Sequence, residues 1–272
     1  MSALALQPTT YNFVADFLKA RSGLALTTDK VYLLETRLHT VATEHQFLSV
    51  RAMLEALHAG KLPQQAQDAI VEAMTTNESL FMRDTKPFDA LVNQMIPEQL
   101  ALGHDDIKIW CAACSTGQEP FSIAMRIAEA ASLKASVSID ATDIASKVIE
   151  RARTGTFTHF EVQRGLPISY LLKYFVQVDA NRWQLKPAIT GQVRFCTQNL
   201  LAPFPNTPYH IVFCRYVLIY FDEATRNDVL VRMAELIPNG GYLVLGSSES
   251  IRGDATGLFE WVEGLPGVYR RK

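Results

Sequence analysis

The sequence predicts an α/β fold, in which an all-helical N-terminal domain precedes a mostly parallel β-sheet with helices on both faces and an antiparallel C-terminal hairpin. Three observations lead to this prediction. Over residues 9–103, apolar side chains recur at helical spacing and no segment alternates like a strand. After residue 103, short apolar strands alternate with amphipathic helices, which is typical of βαβ units. Near the C-terminus, Gly264-Leu-Pro-Gly267 separates two strands, which favours an antiparallel hairpin at the sheet edge.

Length and composition agree with two globular domains. The chain has 272 residues, of which 48% are hydrophobic and 20% are charged. The net charge of −2 disfavours a nucleic-acid-binding protein. Four cysteines form no disulfide framework, the first residues lack a signal-peptide core, and no apolar run reaches the roughly 20 residues of a membrane span. We expect a soluble, cytoplasmic monomer that binds no nucleic acid and does not insert into a membrane.

The all-helical domain is predicted over residues 1–74, where apolar residues follow i, i+3, i+4 spacing. Its four helices cover Tyr11–Gly23, Val31–Leu38, Ser49–Gly60 and Gln64–Met74. Gly23 is predicted as a C-cap and Ser49 as an N-cap. Residues 75–103 form a linker and a fifth helix, Phe88–Leu102, which Pro97 is expected to kink.

The sheet domain is predicted over residues 104–272. Its strands are Ile107–Trp110, Ser136–Ala141, His210–Cys214, Gly241–Leu245, Phe259–Glu263 and Gly267–Arg271, and its helices are Pro120–Ala131, Ala145–Arg153 and Glu223–Ile237. Residues 155–197 form an excursion from this alternation, which we interpret as an inserted β-subdomain. The excursion is expected to contain a helix near Ser169–Phe175 and the strands Phe175–Val178, Arg182–Lys186 and Val193–Thr197, with turns at Asp179–Asn181 and Thr190–Gly191.

A small-residue loop within Trp110–Phe121, between the first strand and its helix, is a candidate ligand site. Ligands of open parallel sheets bind beyond the carboxyl ends of the strands, and a helix start offers free N–H groups. The loop has one glycine rather than the Gly-x-Gly-x-x-Gly pattern, which favours a nucleoside without a diphosphate. The alternative is a tight turn that binds nothing.

Cys111 and Cys114 form a Cys-x-x-Cys pair in the same segment. A thioredoxin-like role would need a low-pKa thiolate at a helix start, whereas Cys111 is predicted inside the strand. A four-ligand zinc site would need a second pair, and Cys196 and Cys214 each stand alone. Redox and zinc functions are therefore disfavoured.

Three further polar features lie at strand ends or between the domains. Asp143 ends the second strand, where it would accept hydrogen bonds from ribose hydroxyls or, alternatively, cap the helix near Ala145. Arg215 directly follows a buried strand, which favours a ligand contact, while Tyr220 is equally consistent with core and site. The segment Thr75–Arg83 is either part of the site or a capped helix start.

Five motifs follow one another along the chain. They are Thr75-Thr-Asn77 through Phe81-Met-Arg83, Ser115-Thr-Gly-Gln-Glu-Pro-Phe-Ser122, Ala141-Thr-Asp-Ile144, Gln198-Asn-Leu-Leu201, and Phe213-Cys-Arg through Ile219-Tyr-Phe-Asp222. In this order they resemble the motifs of the chemotaxis receptor methyltransferases, the CheR family, over nearly the whole chain. The resemblance implies a Rossmann-like class I methyltransferase sheet with S-adenosyl-L-methionine as cofactor and S-adenosyl-L-homocysteine as product. It further implies methylation of glutamate side chains on chemoreceptors for sensory adaptation.

The resemblance also implies roles for individual residues, and no metal. Cofactor contacts would come from Asn77, Ser79 and Arg83 in the linker, Glu119 at the methionine amino group, Asp143 at the ribose, Asn199 and Leu200 at the adenine, and Arg215 and Tyr216 at the methionine end. Arg83 and Tyr220 would be the catalytic residues, with Tyr220 near the transferred methyl group.

Four departures from the family pattern matter. Ser79 stands where threonine is usual, Gln118 replaces one acid of a Glu-Glu pair, and Tyr216 stands where asparagine is usual. Some family members dock the β-subdomain on a C-terminal receptor pentapeptide. Here the turn at Asp179–Asn181 is short and lacks glycine, so we expect no pentapeptide tethering.

A carboxylate acceptor agrees with the motifs, because all six histidines lie outside them. A glutamate side chain, with a pKa near 4.3, is ionised at neutral pH and needs no general base. Residues 151–194 carry seven basic and two acidic side chains, and this charge of +5 would steer the enzyme toward an acidic receptor helical bundle. Lys30 and Arg37 offer a second, weaker positive face, and the alternative for both regions is ordinary solvated surface.

Two other functions stay open from the sequence. A small-molecule O-methyltransferase would have an enclosed pocket and usually a His or Lys base, and a non-catalytic sensor would bind S-adenosylmethionine without turnover. A nucleic-acid methyltransferase is disfavoured, because the charge balance is negative and no base-flipping motif is present.

Overall fold

A computed structural model describes residues 6–130, 133 and 135–272 of the chain. These residues divide into two compact units. One unit ends at Thr76 and also includes Tyr220–Thr225, and the other contains Asn77–Ile219 and Arg226–Lys272. Ala131, the expected end of one helix, lies outside the described residues.

The helical unit contains four helices with buried apolar faces. They are α1 Pro8–Ser22, α2 Val31–Glu44, α3 Val50–His58 and α4 Gln64–Met74. Both predicted caps are confirmed, since Gly23 adopts φ 78° and donates its N–H to the Lys19 carbonyl, and the Ser49 hydroxyl accepts the N–H of Ala52 at 3.1 Å.

The segment Tyr220–Thr225 packs on α1 of this helical unit. Asp222 forms an ion pair of 2.6 Å with Lys19. The carbonyl of Tyr220 accepts the N–H of Ala25 at 2.9 Å. A side chain at position 23 would meet the ring of Phe221 at 2.8 Å, so Gly23 serves this contact as well as the helix end.

Arg37 is used inside the helical unit. Its Nη1 donates to the carbonyls of Met74 at 2.7 Å and Thr75 at 3.1 Å, and its Nη2 donates to the Thr76 hydroxyl at 3.0 Å. A cation at the carboxyl end of α4 provides donors for the carbonyls that have no partner within the helix, and it interacts favourably with the negative end of the helix dipole. The positive face expected from Lys30 and Arg37 is therefore reduced, because one guanidinium is engaged at a helix end.

The fifth predicted helix changes its hydrogen-bond register before Pro97. It consists of α5 Thr85–Ala90, a π-helical turn Leu91–Met95 and α6 Ile96–Ala101. Proline lacks an N–H and its ring excludes the carbonyl four residues earlier, so a wider turn ahead of it keeps the chain helical. The disturbance expected at Pro97 thus takes the form of a π-turn.

A seven-stranded sheet forms the centre of the second unit. Its strands are β1 Asp106–Ala112, β2 Ser136–Asp143, β6 Val193–Thr197, β7 Ile211–Phe213, β8 Tyr242–Val244, β9 Phe259–Trp261 and β10 Val268–Arg271, and a separate sheet contains β3 Thr156–Thr158, β4 Phe175–Gln177 and β5 Arg182–Leu185. The large sheet has the order β6-β2-β1-β7-β8-β10-β9. The first five of these strands run parallel, and β10 is antiparallel to β8 and β9. The predicted parallel sheet with a C-terminal antiparallel hairpin is confirmed.

The remaining helices connect these strands. They are α7 Gln118–Glu129, α8 Ser146–Thr154, α9 His159–Gln163, α10 Ile168–Tyr174, α11 Pro187–Thr190 and α12 Glu223–Leu236. Among the residues that the structure describes, no helix combines the length and the apolar character that a membrane crossing requires.

One strand of the predicted β-subdomain belongs elsewhere. Val193–Thr197 pairs in parallel with β2 and forms an edge of the large sheet, with Val193 and Phe195 buried on one face. The small sheet instead has the order β3-β5-β4, and the predicted turn at Thr190–Gly191 is the end of α11. Alternating burial identifies a strand but not its partner, which explains the wrong assignment.

Four buried phenylalanines join the linker to the small sheet and to α7. Phe81 meets Phe157 edge-on at 4.8 Å between ring centroids and Phe175 at 5.8 Å. Phe157 also meets Phe121 at 6.1 Å. Burying such side chains contributes roughly 1.5–3 kcal/mol each, so the segment that leads to Arg83 is anchored firmly in this unit.

Candidate active site

The candidate site lies at the carboxyl edge of the large sheet. Parallel pairing aligns the ends of β1, β2, β6, β7 and β8, with Ala112 beside Thr142, Asp143 beside Thr197, and Phe213 beside Val244. The loops that follow these five strands therefore meet at one edge, as expected for ligand sites of open parallel sheets.

The loop after β1 is held in a sharply turned conformation. Ala113, Ser115 and Gly117 all have positive φ, at 61°, 51° and 95°. The Ser115 N–H donates to Asp143 Oδ2 at 2.9 Å. A Cβ at position 117 would meet Phe121 at 3.0 Å, so the single glycine serves packing and backbone geometry rather than a diphosphate contact.

Asp143 is buried at the end of β2, and both of its oxygens accept backbone N–H groups. Oδ2 accepts from Ser115, and Oδ1 accepts from Ala145 at 3.0 Å. A carboxylate has about four lone-pair positions, so each oxygen can accept more than one hydrogen bond. The N-cap of the following helix is Ala145, so Asp143 bonds the residue at the helix start but does not itself cap the helix. A ribose role is chemically compatible with these contacts.

The loop after β6 lies directly beside Asp143. The Gln198 N–H donates to the Asp143 carbonyl at 2.9 Å. Next in the chain, Asn199 Oδ1 accepts the N–H of Leu201 at 3.0 Å, while Leu200 is buried. Arg232 holds this loop from α12 by donating to the Leu200 carbonyl at 2.7 Å.

The linker segment is attached to the same edge. The Ser115 hydroxyl donates to the Asn77 carbonyl at 2.6 Å, and the Met82 N–H donates to the Ser122 hydroxyl at 3.0 Å. Ser79 lies half-buried between these two attachment points. The structure therefore brings Asn77, Ser79 and the approach to Arg83 to the edge that carries Asp143.

Arg215 is the centre of a buried charge cluster. Its side chain is only 3% exposed, and its Nη1 donates to Glu119 Oε2 at 3.0 Å. Nη2 donates to Asp84 Oδ2 and to the Arg83 carbonyl, each at 2.8 Å. Its Nε has no hydrogen-bond partner among the described residues, although buried polar atoms nearly always have one.

Arg215 and burial set the ionisation of the two acids. Burial raises the pKa of Glu119 above its usual value, and the charge of Arg215 opposes this rise. Burial also acts to raise the pKa of Asp84, but hydrogen bonds from Tyr216 and Arg215 outweigh it and hold that pKa below its usual value. The pKa values of the two acids in this cluster are therefore shifted in opposite directions.

Tyr216 follows Arg215 with a left-handed backbone, at φ 58°. Its N–H donates to Glu249 Oε2 at 2.6 Å. Its hydroxyl bonds the Asp84 carboxylate and lies 3.0 Å from the Ser247 hydroxyl. Arg83 lies with its guanidinium carbon 3.5 Å from the centroid of the Tyr216 ring.

Sequence reasoning missed Asp84 and Glu249. Glu249 accepts the Gly246 N–H at 2.8 Å as well as that of Tyr216, and its Oε1 is buried without a partner among the described residues. The segment Gly246-Ser-Ser-Glu249 directly follows a buried strand, which is the same signal that singled out Arg215. Asp84 gave no signal beyond its position next to Arg83.

Tyr220 ends a short 3₁₀ helix, Leu218–Tyr220. It belongs to the helical unit, where its carbonyl accepts the N–H of Ala25. Its proposed position near a transferred methyl group stays a prediction.

The thiols of Cys111 and Cys114 lack the low pKa and the exposure of a redox-active pair. Cys111 lies in β1 and Cys114 in the loop that follows, and both are fully or almost fully buried. Burial raises the pKa of both thiols well above the usual value. A thiolate at neutral pH, which redox chemistry needs, is therefore disfavoured here.

All seven basic residues of the 151–194 range are engaged within the protein. Five form ion pairs, namely Arg151–Glu161, Arg164–Glu78, Lys173–Glu129, Arg182–Asp179 and Arg194–Asp140, while Arg153 and Lys186 donate to backbone carbonyls. Three of the acids, Glu78, Glu129 and Asp140, lie outside that range, and they reduce the local charge from +5 to +2. The charge available for steering is smaller than the sequence count.

The edge fits a nucleoside cofactor with an amino acid tail. Asp143 places a buried carboxylate at the end of β2, and Glu119 and Arg215 offer opposite charges in a setting where Arg215 Nε and Glu249 Oε1 are buried without a partner among the described residues. Together with the order of the sheet, these features define an S-adenosylmethionine-dependent methyltransferase of class I.

Sequence comparison gives the family. Residues 77–267 match the family described as CheR methyltransferase, SAM binding domain, and residues 9–75 match CheR methyltransferase, all-alpha domain. The chain belongs to the CheR family of chemotaxis protein methyltransferases.

Curated relatives match over almost their full length. The chain is 38% identical to the chemotaxis protein methyltransferase of Vibrio parahaemolyticus, with 98% of each chain covered. It is 36% identical to chemotaxis protein methyltransferase 1 of Pseudomonas aeruginosa, with 94% of this chain and 95% of that protein covered. It is 37% identical to the chemotaxis protein methyltransferase Cher2 of Pseudomonas putida, with 93% and 94% covered.

Proposed function

We propose that this methyltransferase esterifies glutamate side chains of chemoreceptors. The observation that carries this proposal is a buried ionic cluster at the cofactor edge without a histidine. His39, His45 and His58 lie in the helical unit, His104 and His210 lie near the amino ends of the strands, and His159 lies beside the small sheet. An acceptor that is already ionised needs no such base.

The cofactor, when bound, supplies a methyl group on a positively charged sulfur. We propose that Asp143 binds its ribose, that Asn199 and Leu200 line its adenine, and that Glu119 accepts from its amino group. Arg215 and Tyr216 would lie at the methionine end, with Asn77, Ser79 and Arg83 reaching it from the linker. Because Asp143 and Arg215 are already held by the protein, little reorganisation is needed on binding.

The chain would then contribute to catalysis by positioning the acceptor carboxylate against the methyl group and by excluding water from both. An anionic carboxylate and a cationic sulfonium become two neutral products, and water stabilises the charged reactants more than such a transition state. Excluding water and aligning the two reactants therefore supply most of the rate. Arg83 or Tyr220 would orient the acceptor carboxylate without exchanging a proton.

The acceptor would be the helical cytoplasmic bundle of a receptor, reached in the cytoplasm by a monomeric enzyme without pentapeptide tethering. The turn between β4 and β5 supports the last point. Val178 donates its N–H to the Arg182 carbonyl at 2.9 Å, and the Asn181 N–H donates to Asp179 Oδ1 at 2.9 Å. This tight, glycine-free turn has few exposed backbone groups to offer a docking peptide.

The test is methyl transfer from tritiated cofactor to receptor cytoplasmic fragments. Label on glutamate that mild base releases as methanol would support the proposal, and a fragment with Glu→Ala at the labelled position is the matched control. Label on small metabolites would instead indicate a small-molecule O-methyltransferase. Binding without any transfer would indicate a sensor.

Tyr220→Phe tests the assignment of orientation rather than proton transfer. We expect turnover to fall by less than about ten-fold, because a lost orienting hydrogen bond is worth roughly 0.5–1.5 kcal/mol. The pH–rate profile should keep its shape. Complete loss of turnover, together with an alkaline pH dependence in the native enzyme, would instead assign Tyr220 an acid–base role.

A further inference from the structure

Arg83 is held in an unusual way. Its guanidinium makes no hydrogen bond or ion pair with the residues that the structure describes, and its carbon lies over the Tyr216 ring, 3.5 Å from the ring centroid. The neighbouring Arg215 has the opposite environment, with Glu119 and Asp84 as partners. The N–H groups of Arg83 are therefore not committed to these acids, while the ring holds the guanidinium in place by a cation–π contact.

The ring of Tyr216 is itself fixed at three points. Its backbone N–H is held by Glu249, and its hydroxyl is held by Asp84 and Ser247. The left-handed backbone of a residue as bulky as tyrosine costs on the order of 1 kcal/mol. Such strain persists only where the surroundings enforce it, and here they enforce a ring under Arg83.

We infer that Tyr216 is a positioning residue, which acts through Arg83 by presenting its N–H groups to a carboxylate of a bound ligand. A planar guanidinium that is held in place matches a carboxylate through two parallel hydrogen bonds. Two carboxylates are available in the reaction, that of the cofactor's amino acid tail and that of the acceptor side chain. The inference rests on the proposed role of Arg83 at the site.

Replacing Tyr216 by asparagine, the residue usual at this position, tests the contribution of the ring separately from that of the backbone. Asparagine tolerates the left-handed backbone but has no ring, so Tyr216→Asn relieves the strain, removes the contact with Arg83 and should weaken ligand binding. A merely structural role would give the same loss of binding with and without Arg83. Tyr216→Phe keeps the ring but loses the hydroxyl bonds to Asp84 and Ser247, so its loss of affinity should be smaller than that of Tyr216→Leu.

A double-mutant cycle with Arg83 provides the test. Affinity for S-adenosylhomocysteine is measured by calorimetry, and KM is measured for a receptor fragment. Tyr216→Leu should weaken one of them about ten-fold when Arg83 is present, which corresponds to roughly 1.4 kcal/mol. In the Arg83→Gln background it should change that quantity by less than two-fold. Phe160→Leu, which removes a 65% exposed ring 5.3 Å from Arg164, is the matched control and should change neither.

The outcomes distinguish the two carboxylates. Coupling in the affinity for S-adenosylhomocysteine assigns Arg83 to the cofactor tail, and coupling only in the KM for the receptor assigns it to the acceptor. Equal effects of Tyr216→Leu in both backgrounds would overturn the inference, as would a Tyr216→Asn variant that keeps both the native affinity for S-adenosylhomocysteine and the native KM for the receptor fragment. Should Tyr216→Leu fail to fold, Tyr216→Asn carries the test. Calorimetry needs no acceptor, so failure of receptor methylation would count against the proposed function alone.

Discussion

The carboxyl edge of the large sheet, where its parallel strands end, differs from the amino edge, where they begin, in backbone strain and in buried charge. Six described residues other than glycine have positive φ, and five of them belong to the carboxyl edge and the linker attached to it, namely Met82, Asp84, Ala113, Ser115 and Tyr216. Arg215, Glu119 and Glu249 add buried charges there. Strained backbone and buried charge therefore occur together at the ligand edge.

The amino edge has ordinary backbone, neutral polar contacts and a partly exposed ion pair, Arg270–Glu98. His210 Nδ1 accepts the Lys108 N–H at 3.0 Å, and the His210 ring lies 4.4 Å from that of His104. Gln99 donates to the Gly240 carbonyl at 2.8 Å. The difference indicates that this edge serves stability, whereas the carboxyl edge sacrifices local stability for a prepared site.

The largest expected effect comes from Arg215→Met. This change leaves Glu119 and Asp84 without their shared cation, so we expect a loss of about 3 kcal/mol at pH 8 and no measurable binding of S-adenosylhomocysteine. Urea unfolding and calorimetry measure the two quantities. Arg194→Met is the matched control, because its pair with Asp140 is 73% exposed on the arginine side and should be worth less than about 1 kcal/mol.

The same variant has a pH dependence of known sign. Burial raises the pKa of Glu119, and loss of Arg215 would raise it further. An acid whose pKa is raised by folding favours the folded state at low pH and disfavours it as pH rises through that pKa. The loss of stability in Arg215→Met should therefore be smaller at pH 5 than at pH 8, and equal losses would contradict the pairing argument.

Asp143→Asn is expected to have the next largest effect. An amide offers one acceptor where the carboxylate serves the N–H groups of both Ser115 and Ala145, so we expect a loss of about 1–2 kcal/mol. Affinity for S-adenosylhomocysteine should fall at least about ten-fold. Asp140→Asn, on the same strand, should leave that affinity within about two-fold. Native affinity in Asp143→Asn would remove the ribose assignment.

His210→Asn gives the smallest effect and tests the amino edge. Burial lowers the pKa of His210 below its usual value of 6.5, and protonation would abolish its acceptance from Lys108. A histidine with a lowered pKa contributes stability above pH 6.5 that is lost as pH falls through the folded pKa. Asparagine accepts without titrating, so the variant should lose this pH dependence, at a cost below about 1 kcal/mol near pH 8. Cofactor affinity should not change, and a ten-fold change would contradict the contrast between the edges.

Features that depend on residues close together in the chain were predicted correctly from the sequence, whereas features that depend on distant residues were not. Gly23 and Ser49 were correctly predicted as caps, because a cap depends on a few neighbouring residues. Val193–Thr197 was correctly predicted as a strand but assigned to the wrong sheet, because its partner Ser136–Asp143 is about 50 residues away in the chain. The +5 of the 151–194 range counted charges along the chain, whereas three neutralising acids come from elsewhere in the fold.

The residues of the candidate site also fall into those that the local sequence indicates and those that only the fold brings together. Asp143 and Arg215 were singled out because each is a charged residue at, or directly after, the end of a buried strand, a pattern visible in the local sequence. Glu249 fits the same rule and was missed. The stack of Arg83 on Tyr216 joins residues 133 positions apart, and neither residue type predicts the other.

The order of elements, their apolar faces and the acids and arginines at the strand ends are properties of short stretches of chain, so the amino-acid sequence alone determined the fold class and the kind of cofactor. Which charges neutralise one another, which edge of the sheet holds strained backbone and which ring supports Arg83 depend on the meeting of distant segments. Only the tertiary structure decided these features, because electrostatic and packing energies depend on distances through space rather than along the chain.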